Sequence, residues 1–411
     1  MDSLTQIVLG AAMGEAVAGR KIGNKAMLWG AVAGTIPDLD VFVGPILGWS
    51  PEASLAFHRG ISHSILFAVL VPLLLTWYTS WLYGNEHHKK MIVKASTGIG
   101  GIVFLVFSAF ILNFIAIQIK GGIHIPVLIL TIVLVGLLGF FLFRKNVLQK
   151  QPDVNISFGR WYLLFFLAVL THPILDSCTG YGTQLFQPFS DMRVAWNNIS
   201  VADPLYTAPF LLFLLLASTR GKHNKWRTIF NYTGIIYSLI YMGWTLRNKY
   251  IVDGVFRDTL AKKELKYSRY ITTPTILNNV LWHCIAEGDG EYYDGQYSLL
   301  DSKKEVNIQV IKKDAHYIKN TEDERVKIIK WFTNDYYNVL KLEGDTIQIN
   351  DLRYGPYTAG DTDDPNNYIF PFLLYPDAET GEYHMKDQSG PPEDGTMEEF
   401  WNTLITRIKG I

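Results

Sequence analysis

Long apolar runs separated by short basic links fill the first 250 residues of the chain and then stop. Crossing about 30 Å of hydrocarbon takes roughly 20 mostly apolar residues, and 61–83, 97–119, 122–143 and 228–251 each meet that need. Residues 160–178 and 204–218 are shorter apolar runs that read as further spans, and 26–48 reads as a span broken by Pro37, Pro45 and two aspartates. Residues 4–19 are rich in Gly and Ala and carry Glu15, the pattern of a helix packed closely against its neighbours. Beyond residue 252 the periodicity changes. Residues 307–311 and 345–349 alternate apolar with polar positions as half-buried strands do, 322–340 and 397–408 have helical spacing, and 360–364 and 389–392 read as loops. The predicted fold class is mainly α: a polytopic membrane helix bundle over 1–251, followed by a small soluble α+β domain over 252–411.

Charge sharpens this division. Residues 1–251 hold 19 Lys+Arg against 10 Asp+Glu, and 252–411 hold 18 against 28, although the whole chain has a net charge of only −1. Basic loops stay on the cytoplasmic side of a membrane. Placing 20–25, 89–94, 144–150 and 220–227 there alternates the spans consistently and puts the 120–122 link and the 179–203 loop outside. Arg247 and Lys249 run against this orientation, since it puts their end of 228–251 outside. Cys178 and Cys284, one in each half, define no disulfide framework. The N-terminus lacks the basic segment of a secretory signal and reads as part of the mature chain.

Three polar clusters interrupt the greasy region: Pro37-Asp38-Leu39-Asp40, His58-Arg59-Gly60-Ile61-Ser62-His63-Ser64 and Thr171-His172-Pro173-Ile174-Leu175-Asp176. Ionisable side chains are costly at membrane depth and tend to mark function. The orientation above brings all three clusters to the outer face. His172 and Asp176, four apart, share a helix face, with Pro173 read as a first helical position. Asp38 and Asp40 follow a proline that ends a helix, and His63 is placed in the first turn of the 61–83 helix with His58 in the approach loop. Each cluster alone also has an ordinary reading as a cap, an interfacial loop or a basic anchor. Together, three imidazoles and three carboxylates suit a divalent transition ion, zinc with manganese or iron as alternatives, and six candidate ligands allow one or two ions. Ser62 and Ser64 are placed to orient an imidazole. Arg59 and Arg193 are candidates to hold a phosphate, Arg193 also reading as a solvated surface residue.

The same residues, with Met1-Asp2-Ser3-Leu4-Thr5-Gln6 before them and Ser177 to Ser190 after, resemble in order the YdjM-like family of inner-membrane, metal-dependent hydrolases. The resemblance covers roughly residues 1–250. It implies a multi-pass protein of the bacterial inner membrane, and Asp38, Asp40, His58, His63, His172 and Asp176, the candidate metal ligands, fall on the family's polar motif positions; Gln6, Ser62 and Thr179 are taken as lining the site. Many relatives carry His where this chain has Gln6, a poor ligand. A branch sharing Gln6 with Gly14-Glu15 makes Glu15 a substitute ligand or a base. The His-x-x-x-Asp spacing is also similar to that of zinc phospholipase C and P1-type nucleases, an analogy that favours phosphoesters.

The expected function is therefore metal-dependent hydrolysis of a phosphoester or other ester in a lipid or lipid-linked substrate, with the site and the tail outside the cytoplasm. A divalent-metal transporter and a non-catalytic membrane anchor for the tail are the alternatives. His283, His316 and His384 lack ligand spacing, and neither basic clustering nor a phosphate-cradling glycine loop supports nucleic-acid binding.

Overall fold

Asp2 starts the first helix by accepting the Thr5 N–H at 3.0 Å. In this computed structural model α1 (Ser3–Ile22) turns back at Gly23, φ +60°, into α2 (Asn24–Thr35). Gly10 and Gly14 of α1 face Gly30 and Gly34 of α2 so closely that a Cβ on any of them would overlap backbone of the opposite helix. Small residues at four-residue spacing let the two backbones touch, the packing that holds helices together where hydrophobic exclusion from water is absent.

The structure describes residues 1–96, 125–144, 153–356, 361–377, 379–386 and 396–411, with isolated positions at 98, 99, 101, 102, 105, 106, 109 and 113. These fall into two units, residues 1–72 with 163–411, and residues 73–162. After α2 a 3-10 turn (Pro37–Phe42) and α3 (Val43–Leu47) bend away by 45°. α4 (Pro51–Phe57), a 3-10 turn at Ile61–His63 and α5 (Ile65–Gly84) follow. Beyond α6 (Ile125–Phe143) come α7 (Phe158–Asp176), α8 (Pro204–Ser218) and α9 (Lys225–Lys262). Within the smaller unit, Tyr83 stacks on Trp161 at 5.7 Å and Asn113 donates to Thr131 at 2.7 Å.

The N-terminal region is thus mainly helical. Among the described residues α5 and α7 are long and apolar enough to cross a membrane, and α2 with its bent continuation makes a third if counted as one span. The predicted span 97–119 and the 120–122 link lie almost wholly outside the described residues. The predicted span 228–251 falls inside α9, a helix too polar to meet the same test. The reason is its inward stripe: Asn231, Ser238, Thr245 and Asn248 are buried, whereas Ile236, Leu239, Ile240 and Leu246 point outward. At 1.5 Å per residue α9 is about 57 Å long, and it passes through residues 251 and 252 without a break.

The tail forms two small antiparallel sheets. β1 (Arg269–Pro274), β2 (Leu281–Glu287), β3 (Glu291–Ser298) and β4 (Asn307–Lys312) are paired in chain order. So are β5 (Tyr337–Lys341), β6 (Ile347–Asp351), β7 (Pro371–Pro376) and β8 (Tyr383–Lys386). The first sheet packs Trp282, Cys284 and Tyr293 against Val252 and Phe256 at the far end of α9. Lys249 donates to the Thr272 backbone and hydroxyl, each at 3.0 Å, so this cation is bonded to β1 and is no free topological signal. The predicted helix 322–340 ends early: α10 covers only Glu324–Phe332, because Asn334 and Asp335 adopt positive φ and turn the chain into β5. α11 (Thr396–Ile408) closes the chain, and the 389–392 loop lies outside the described residues.

Candidate metal centre

Four side chains from three distant segments meet at one end of the α1–α2 hairpin. Asp38 sits on the turn after α2, His63 on the turn before α5, and His172 and Asp176 one helical turn apart at the end of α7. Pro173 lies within this last stretch of α7 and not at a helix start as expected, so the His-to-Asp spacing is carried by continuous helix. His63 likewise precedes α5 in its own 3-10 turn instead of belonging to that helix.

The four donor atoms all lie within 4.8 Å of one another. His172 Nε2 is 3.2 Å from His63 Nε2, 3.2 Å from Asp38 Oδ1 and 3.4 Å from Asp176 Oδ2. His63 Nε2 is 3.5 Å from Asp38 Oδ1 and 3.3 Å from Asp176 Oδ2. Donors this close together could share one small cation, zinc bonds to nitrogen and oxygen being about 2.0–2.2 Å long. Asp176 Oδ2 is buried without a hydrogen-bond partner, an expensive arrangement unless something occupies the space among these donors. The residues present therefore fit a divalent ion.

The surrounding bonds aim these donors. Gly34 O lies 2.6 Å from His172 Nδ1, and Ser62 Oγ lies 3.0 Å from His63 Nδ1, leaving each Nε2 free for the centre. Gln6 donates to Asp176 Oδ1 at 3.0 Å and to His172 O at 3.2 Å, and the buried α-amino group of Met1 is bonded to the same Oδ1. Thr179 accepts from Arg59 Nη1 at 3.1 Å and donates to Asp176 O. Ser64 caps α5 through Phe67 N.

Two expected ligands stand behind the centre and not in it. Asp40 is consumed by His58 Nδ1 at 2.9 Å, Arg59 N at 3.0 Å, Ser62 Oγ at 2.8 Å and His63 Nδ1 at 3.3 Å. His58 is correspondingly tied to Asp40 and lies edge-on to Tyr181, 5.3 Å between centroids. The single four-residue group is the one His/Cys/Asp/Glu cluster of ligand geometry among the described residues. Glu15 is elsewhere altogether. Nine residues down α1 from Gln6, it forms a buried ion pair with Arg227, 2.6 Å from Oε1 to Nε, at the opposite end of the helices.

Arg59 is held in a left-handed backbone conformation, φ +58°, by Asp40 and by Gln184 N, which donates to its carbonyl. A non-glycine residue there stores strain of order 1–3 kcal/mol, commonly at functional sites. The result is a guanidinium with Nε 3.4 Å from Asp176 Oδ2 and its carbon 4.7 Å from the centre of the Tyr181 ring. Arg193 is neither solvated nor beside the four donors. It donates to the carbonyls of Tyr181 and Gly182 and lies about 5 Å from the rings of Tyr181, Trp331 and Phe332. Burial, helped by Arg353 and Arg59, pushes its guanidinium down to about 10. Tyr181, which carries these contacts, lies within the Thr-Gly-Tyr-Gly-Thr run, and that run was the available signal for it. Nothing in the sequence pointed to Phe332 or to Arg353, which donates to Gly180 O.

This constellation of ordered motifs is reflected in the comparison with known families. The chain belongs to the YdjM inner membrane protein family. The match covers residues 1–252 and so ends inside α9, before the two sheets. Searches among curated proteins and among solved structures found no match. Membership places the protein in a lipid bilayer, and the family region contains all four donors.

Proposed function

We propose that this is a polytopic inner-membrane hydrolase that cleaves a phosphoester or another ester using a divalent transition ion, zinc by preference, held by Asp38, His63, His172 and Asp176. The convergence of these four donors from three segments carries the reading. Two imidazoles and two carboxylates form a mixed nitrogen and oxygen set that suits zinc, manganese or iron. When bound, such an ion would supply a Lewis acid and, in a ligand position beyond the four side chains, a water acidified to near neutrality.

The chain's own groups do the rest. Asp40 and Ser62 hold His63, the Gly34 carbonyl holds His172, and Gln6 fixes Asp176 so that Oδ2 stays available. Arg59 sets a delocalised cation, with an unbonded Nε, where negative charge on a substrate oxygen would develop. His58 keeps a quarter of its side chain exposed and is oriented by Asp40, which suits a group that carries a proton out of the site.

An outward-facing site is supported by where the cations of α1 and α9 gather. Lys21, Lys222, Asn24 and Arg227 are bonded at the end of α1 and α9 remote from the four donors. If that end is cytoplasmic, site and tail are outside. Transport is less well supported, because the polar stripe of α9 is turned onto local acceptors: Ser238 bonds Ile235 O, Thr245 bonds Met242 O and Asn231 bonds Ala12 O. A non-catalytic anchor would have no use for four converging donors. Elemental analysis of detergent-purified protein, followed by a phosphoester and lipid-ester screen, tests the proposal. Stoichiometric metal that disappears in His172→Ala, together with turnover that disappears with it, is the expected result. Metal-free active protein, or full metal content in His172→Ala, defeats it.

A further inference from the structure

We infer that the centre opens sideways into the membrane interface and receives an anionic lipid, whose phosphate-bearing head group meets Arg59 while its acyl part rests along the 37–57 segment. The fate of that lipid rests on the hydrolytic reading; its binding does not.

His63, His172 and Asp176 side chains have no exposed surface, and Asp38 alone among the four is open, at 15 %. Whatever reaches the donors from outside passes Asp38. Its outer oxygen accepts a bond from the exposed Ser3, and the flanking Leu4 and Leu39 are each half exposed. Along the same bent stretch Val41, Phe42, Ile46, Leu47 and Trp49 also present large apolar side chains outward. Apolar side chains exposed beside the one open donor suit contact with lipid. A bent, Trp-bearing segment that continues a membrane helix fits the boundary between head groups and acyl chains.

Immediately before His58 the strip continues as a shallow, open depression lined by Trp49, Ser50, Ala53, Ala56 and Phe57. The opposite approach is shut. Tyr181 packs edge-on against Phe332 of α10 at 5.0 Å, and Arg193 lies among Tyr181, Trp331 and Phe332. Charge selects the head group: Arg59 is a buried cation 3.4 Å from the donor Asp176, Asp40 is fully bonded, and Glu52 faces Arg325 at 3.6 Å. An acyl-bearing phosphate is the chemistry that satisfies both the apolar strip and the guanidinium.

The test uses full-length protein in phosphatidylcholine nanodiscs carrying a minor fraction of phosphatidic acid with a photoactivatable diazirine in its acyl chain. Cross-linked peptides mapped by mass spectrometry are expected to concentrate in residues 1–6 and 37–57. The yield there should fall about tenfold in Arg59→Gln, the equivalent of one charge-assisted hydrogen bond. A similar fall is expected in Leu39→Glu with Phe42→Glu, a variant altered only at exposed positions and therefore able to fold. His172→Ala should keep the cross-link, so a failure of the metal reading leaves this one standing. Labelling spread as strongly over Ile125–Phe143, or indifferent to the Leu39 and Phe42 substitutions, overturns it.

Discussion

Asp38 and Asp40 are two residues apart and have different duties. Asp38 offers Oδ1 to the centre, whereas Asp40 gives both oxygens to His58, Arg59, Ser62 and His63. Asp38→Asn is therefore expected to abolish stoichiometric metal binding. Asp40→Asn should weaken it by about 10- to 100-fold, the usual effect of removing a group that orients a ligand; titration of apoprotein with Zn²⁺ distinguishes the two. Glu15→Gln should instead leave metal content intact and cost about 3–5 kcal/mol, because it strands buried Arg227 without its partner. Thermal unfolding beside elemental analysis checks both halves of that expectation. The residue types were legible in the sequence, since imidazoles and carboxylates inside apolar segments have few other uses. Their ranks were not, because spacing does not tell a ligand from the carboxylate that steadies it, and Glu15 owes its role to Arg227, 212 residues away.

At the scale of elements, the α1–α2 hairpin sets the site, since its glycine contact fixes where Gln6, Gly34 and Asp38 stand. Gly30→Val places methyl groups where the Gly10 backbone already lies. It should destabilise the protein by about 1–3 kcal/mol or more and, by swinging Asp38 away, lower metal occupancy too; a melting curve and a metal assay on one preparation would show the two losses together. The closeness of this hairpin was readable from the Gly and Ala spacing. α9 was harder: its buried stripe of Asn, Ser and Thr leaves it below the apolarity of a membrane span, and its length passes unnoticed. The early end of α10 comes from positive φ at Asn334 and Asp335, and helical periodicity across 322–340 carries no sign of it.

On the scale of the molecule, the tail and the family region are joined through more than the chain. Phe332 is fully buried, and Tyr181 and Leu55 pack into the same core. Phe332→Ala should cost about 3–5 kcal/mol, most of it felt as freer proteolysis of 324–386, with metal content unchanged. That docking was invisible beforehand, because it joins a motif tyrosine to an unremarked aromatic about 150 positions later in the chain.

The ion would tie the molecule together in a second way. Asp38, His63 and His172 stand on segments separated by up to 134 residues, so a common ion closes long loops that the unfolded chain must otherwise leave open. A ligand present at a thousand times its dissociation constant adds about 4 kcal/mol to stability. Chelation of wild type should then lower the melting temperature clearly, and should do nothing to His172→Ala, which has no ion to lose. Protons compete for the same nitrogens and oxygens, so the chelator-sensitive part of stability should be larger at higher pH and shrink as pH falls. Melting curves with and without chelator across that range decide the matter: a chelator effect of equal size in wild type and His172→Ala would mean that the four donors converge for some reason other than a metal.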